Sequence, residues 1–137
     1  MGIMLWLLTV LFAVRVLGQA LQKWVPQPFL PPFDAFQGSN LPYSVLLSSQ
    51  LAILALMGYL SSGVQAGVLG TSRRTGTALR WAGALYMLVA LGRIAIGVLL
   101  PVAPPWFRAW ISACFHVVLA GFVLLVSVHH LRPSRLG

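Results

Sequence analysis

TALRWAGALYMLVALGRIAIGVLL, residues 77–100, is almost entirely aliphatic and small, and Arg93 is its one deep interruption. At about 1.5 Å of rise per residue, a helix of this length crosses a hydrocarbon core of roughly 30 Å. Three more stretches have the same character: residues 3–20, 43–69 and 106–130. The 137-residue chain is 59% hydrophobic and only 7% charged, too little charge to cover a soluble domain. The predicted fold is therefore all-α, an integral membrane up-down four-helix bundle, with residues 1–137 forming a single transmembrane domain.

The segments between the runs predict how they are joined. Residues 21–42 hold five of the nine prolines together with Trp24, Phe29, Phe33 and Phe36. Prolines 26, 28, 31 and 32 exclude a regular helix through this loop. Its aromatic residues place it at a membrane interface, as an anchor or as a lid over one end of the bundle. Gly70-Thr71-Ser72-Arg73-Arg74-Thr75-Gly76 reads as a polar turn, with glycine ending the second helix and Thr75 or Thr77 capping the third. Pro104 and Pro105 suit the start of the fourth helix. Short connections predict successive helices that are antiparallel and adjacent. Gly63 and Gly67, with Gly58 and Ser62 on a neighbouring stripe, form a small-residue pattern suited to close helix contact.

A net charge of +8 would suggest nucleic acid for a soluble chain, but here the placement of the charge matters more than its sum. Arg73, Arg74, Arg80, Arg132 and Arg135 cluster at one side of the expected topology, and only Lys23 and Arg108 at the other. Basic short loops stay in the cytoplasm. The expectation is an integral plasma (inner) membrane protein with both termini cytoplasmic and no nucleic-acid partner. Gly18-Gln19-Ala20 resembles a signal-peptide cleavage site, yet the charged leader is missing and Arg15 breaks the apolar core, which predicts a retained first helix. Cys114, the single cysteine, excludes an internal disulfide or a Cys-X-X-Cys centre and is expected to pack within its helix.

Arg15, Gln50, Arg93 and His116 each interrupt a different run. Counting from the outer ends places Arg15 roughly 8 Å deep, Gln50 and Arg93 roughly 10 Å, and His116 roughly 15 Å. All four fall in one leaflet, and polar groups in hydrocarbon face a bundle interior or a wet cavity. Their neighbours at helical spacing are small or polar: Tyr86, Ala90 and Gly97 beside Arg93, Ser112, Ala113 and Ala120 beside His116, and Gln19 and Gln22 beside Arg15. Arginine stays protonated, and Asp34 in the outer loop is the chain's only acid, a candidate lid residue and counter-charge. Three arrangements would balance the arginines: snorkelling to headgroups, joint capture of an anion, or an acid from a partner subunit. The candidate ligand-binding set is Arg15, Gln50, Tyr86, Arg93 and His116.

His116 could orient a ligand, accept a proton, or bond a neighbouring helix. All three histidines lie on the fourth run, and His116 and His129 are roughly 20 Å apart along it, too far for bis-histidine haem. No zinc donor set, catalytic triad, phosphate loop or carboxylate pair is legible, so no cofactor, metal or catalytic residue is expected. No helix carries a continuous polar stripe, which argues against a channel. The leading expectation is an accessory or structural subunit that packs with membrane lipids and with other membrane proteins or copies of itself. The alternative is a binding or transport module for a lipid-like or carboxylated anion held by Arg15 and Arg93; an enzyme ranks third. In its four-helix layout, with Arg15 late in the first helix, the chain resembles the small DoxX-like membrane proteins, a likeness of architecture that assigns no activity or residue role.

Overall fold

The computed structural model describes residues 1–36, 41–100, 102, 107 and 109–133, the side chains of residues 34 and 35 excepted. These form α1 (Gly2–Trp24), the short α2 (Phe33–Phe36), α3 (Tyr43–Gln65), α4 (Arg73–Leu99) and α5 (Trp110–Leu131), with no strand among them. Four of the five, all but α2, are long and apolar enough to cross a membrane. Arg108, Arg135 and the Pro104–Pro105 helix start lie outside the described residues.

The helix ends differ from the sequence reading for local reasons. The first helix runs beyond residue 20 to Trp24, where Pro26 blocks continuation and the Gln22 side chain accepts from the Gln27 backbone N–H at 2.9 Å. Gly18-Gln19-Ala20 thus lies inside a continuous helix. The second spanning helix stops at Gln65 rather than residue 69 because Gly67 adopts φ +70°, a left-handed turn that sends the N–H groups of Val68 and Leu69 back to the Gly63 carbonyl at 3.1 Å. The third begins at Arg73, not residue 77. Its cap is Ser72, extended in backbone, whose hydroxyl accepts the Thr75 N–H at 3.4 Å, so neither Thr75 nor Thr77 serves as the cap.

Side-chain contacts set the directions. Gln19 meets Gln50, Thr9 meets Ser61 at 3.1 Å, and Gly2 lies against Gln65, so α1 and α3 are antiparallel. Gly76 lies against Leu131, Gly83 against Leu124, and Tyr86 against His116, so α4 and α5 are antiparallel as well. The start of α1, the 66–72 turn and the end of α5 therefore share one end of the fold; Trp24 and Tyr43 stack edge to face at the other.

The helices pack in the order α3, α1, α5, α4, and α3 and α4 barely meet. The expected adjacency of successive helices fails here because the turn between them is held against α5. His129 Nε2 bonds the Leu69 carbonyl at 3.1 Å, and the Ser72 N–H donates to His130 Nδ1 at 3.2 Å. The bundle is therefore an open row, not a closed ring. Its central core joins Leu5, Phe12 and Val16 of α1 to Met57 of α3 and to Phe122 and Val126 of α5.

Small residues recur every seven positions at the α4–α5 contact. Gly76, Gly83 and Ala90 are buried on α4, and Ala113, Ala120 and Ser127 on α5. A Cβ at Gly83 would sit 2.9 Å from Leu124, so the backbones approach as closely as only glycine permits. The small-residue stripe read on the second run is not used this way, since Gly58 has open space beside it. The polarity of the fold is inverted: Leu17, Trp81, Leu88 and Val98 are exposed while Thr9, Gln19, Ser61 and Ser127 are buried. That distribution suits hydrocarbon surroundings, where polar groups must find partners inside.

Candidate functional site

Arg15 and Gln19 lie one turn apart on α1 and share its inward face, bracketed by Phe12 and Val16. Arg15 is 7% exposed. Its Nη2 donates to the Phe36 carbonyl at 3.1 Å, and its guanidinium carbon lies 5.6 Å from the Phe115 ring centre, within cation–π range. The arginine Nε is buried with no hydrogen-bond partner. One edge of the guanidinium thus holds α2 in place while another N–H remains unused.

Gln19 is fully buried, and Gln50 of α3 is 4% exposed. Gln50 Nε2 donates to Gln19 Oε1 at 3.1 Å, leaving Gln50 Oε1 and Gln19 Nε2 without partners. Buried polar atoms in this state cost about 1–3 kcal/mol each, so they mark a place where a group is missing or strain is stored.

Arg15 and Gln50 are also among the residues that line a cavity of about 280 Å³. Phe12 and Arg15 of α1 form its floor, Ser49, Gln50 and Ile53 of α3 one wall, and Ser112, Phe115, His116 and Leu119 of α5 the other, with Leu41 and Leu46 at the rim. The space exists because α3 and α5 both pack on α1 and make little or no contact with each other. Its lining is mainly apolar, with Arg15, Gln50 and His116 as the converging polar groups, a pattern common to sites for small amphipathic molecules.

His116 Nδ1 is hydrogen-bonded to the Tyr86 hydroxyl, and the two rings meet edge to face with centres 5.7 Å apart. That bond fixes the imidazole between α4 and the cavity. Arg93, 4% exposed, is not among the cavity-lining residues; its field reaches Tyr86 and His116, and the field of Arg15 also reaches His116. Of the five residues expected to hold a ligand, Arg15, Gln50 and His116 share the cavity, Tyr86 orients His116 from behind, and Arg93 contributes at longer range.

Residues 25–36 and 41–42 lie at this end. Pro31-Pro32 leads directly into α2, whose Phe36 is buried with its ring over Gly18. α2 touches both α1 and α5. The edge-to-face pairs Trp24–Tyr43 and Phe33–Tyr43, with Lys23 Nζ 5.2 Å from the Phe33 ring centre, tie both ends of the loop together. Asp34 belongs to α2, but its side chain lies outside the described residues.

Gln19 is the residue that the sequence reading undervalued. Its position four after Arg15 was the available signal. Cys114 is exposed rather than packed, on the α5 face away from the core. Among the described residues, no three His, Cys, Asp or Glu side chains gather as metal ligands. Comparison with protein-family models, curated proteins and solved structures gives no match, so the likeness to DoxX-like proteins rests on architecture alone.

Proposed function

We propose that this chain is a multi-pass binding module for an amphipathic anion, a lipid-like phosphate or carboxylate whose head enters the α1–α3–α5 cavity and whose chain remains among apolar side chains. A buried, permanently charged arginine that lines a mainly apolar cavity carries this reading. Ionised acceptors make the strongest hydrogen bonds to guanidinium. Arg93 and Tyr86-oriented His116 add positive potential and a further polar contact, and the 25–42 loop acts as the lid. By the distribution of basic residues, the lid faces outward from a plasma (inner) membrane and both termini face the cytoplasm.

Lipid analysis of protein purified in mild detergent tests the reading. Stoichiometric acidic lipid or fatty acid should accompany the native chain and fall sharply in Arg15→Met. An unchanged complement of bound lipid would overturn it.

A second reading, an accessory subunit or homo-oligomer, is favoured by the open row of helices. Gly58 of α3 and Gly92 of α4 face open space, and these two helices end the row. Cross-linking in native membranes should then trap a defined partner or second copy through α3 or α4; recovery of monomer alone would count against it.

A further inference from the structure

His116 is a titratable group in the wall of the proposed anion site, and its bond to Tyr86 holds the ring in a way that tolerates a proton. A tyrosine hydroxyl donates or accepts. It can donate to Nδ1 of the neutral ring and accept from Nδ1–H of the imidazolium, so His116 keeps its place in both states. His130 shows the contrasting arrangement, because its Nδ1 accepts from the backbone N–H of Ser72, a donor that cannot reverse.

We infer that anion binding in the α1–α3–α5 cavity is coupled to uptake of a proton by His116, the two being held together and released together. This deepens the anion-binding reading and rests on it. Arg15 and His116 line one cavity of about 280 Å³ from two helices, and the guanidinium carbon of Arg15 lies 5.6 Å from the ring centre of Phe115, the residue next to His116. An anionic head paired with Arg15 and a proton on His116 carry opposite charges within that space, so each favours the other. The mainly apolar lining limits screening between them. By linkage the coupling is reciprocal: the anion draws in the proton, and the proton tightens the anion.

The other charged or titratable groups around the ring are Tyr86 and Arg93 of α4 and Asp34 of α2, the last with its side chain outside the described residues. From α3 come the neutral Ser49 and Gln50. Of these groups only the imidazole ordinarily changes charge between about pH 5 and about pH 8. Leu41, which precedes the start of α3, belongs to the lining, so the cavity extends to the end of the bundle, where solvent supplies the proton. The proton adds to the lone pair of a ring nitrogen and returns to solvent when the anion leaves.

Octanesulfonate is a suitable probe because its head stays ionised throughout this range, so a pH dependence of its binding belongs to the protein. Calorimetry on the intact chain in neutral detergent, repeated in buffers of different ionisation enthalpy, gives the affinity and the protons exchanged together. The native protein should bind about tenfold more tightly at about pH 5 than at about pH 8, the scale of a unit-charge attraction across a small cavity at an effective dielectric constant of about 20, and should take up part of a proton between them. His116→Gln should bind equally at both ends and exchange none. Equal affinity of the native protein at both ends, without proton uptake, would overturn the inference while anion binding stands, and so would an unaltered pH dependence in His116→Gln. Failure to bind at every pH would overturn both. If the variant does not purify, the ring-nitrogen resonances of the native chain decide: His116 should gain its proton as the probe is added at fixed pH, and a His116 signal that ignores the probe would overturn the coupling.

Discussion

Two of the neighbours of α5, α4 and α1, use it in opposite ways. Against α4 it presents Ala113, Ala120 and Ser127 to Gly76, Gly83 and Ala90, and the polar pair across this contact, Tyr86 and His116, is bonded to itself. Against α1 it presents Phe115, His116 and Leu119 to a space lined also by Arg15 and Gln50, each of which has one buried atom without a partner. The first contact gains from closeness, because in hydrocarbon packing and internal hydrogen bonds take the place of a hydrophobic driving force. The second gives up closeness and leaves a space between the helices. Burial of polar residues thus has different meanings on two sides of one helix, and the number of satisfied atoms distinguishes them.

Substitutions should separate the two contacts. Gly83→Leu has the largest expected effect, because the new side chain meets Leu124 and forces the backbones apart; a loss of about 3 kcal/mol in reversible detergent unfolding is expected. Arg15→Met comes next and acts differently. Affinity for an acidic lipid should fall about thirtyfold with the loss of a charge-assisted bond, while stability without lipid holds or rises because a buried cation is replaced by an apolar side chain of similar length. A large loss of lipid-free stability would instead make Arg15 a structural strut through its bond to Phe36. Tyr86→Phe removes the partner of His116 and should cost about 1 kcal/mol in the same unfolding assay. Thr9→Val, which breaks the bond to Ser61 far from the cavity, should cost only about 0.6 kcal/mol and leave lipid affinity unchanged.

The sequence reveals the spanning helices readily because twenty-residue apolar runs are a one-dimensional signal. Arg15, Gln50 and His116, whose depths can be counted along their helices, line one cavity, whereas Arg93, counted to the same depth as Gln50, does not. Lateral order cannot be counted. Nothing local tells that His129 and His130 would bond the 69–72 turn and leave α3 and α4 apart, since that contact joins residues about sixty positions distant. The sevenfold spacing of Gly76, Gly83 and Ala90 is present in the sequence, but the commoner fourfold glycine pattern on α3 is the more conspicuous signal, and within the chain it is the α4 glycines that meet a neighbouring helix. Gln19 shows a third limit. The sequence places Gln19 only as a polar neighbour of Arg15; its bond to Gln50 joins residues 31 positions apart and depends on how α1 and α3 pack.

The most direct measurement is the side-chain Nε–H resonance of Arg15 in nanodiscs, assigned by its disappearance in Arg15→Met and followed by NMR during titration with phosphatidylglycerol against a phosphatidylcholine background. Anion capture at the cavity predicts a saturable shift of this signal with slowed exchange with water, absent when zwitterionic lipid alone is added. A resonance that ignores the acidic lipid, or responds equally to both lipids, would contradict it.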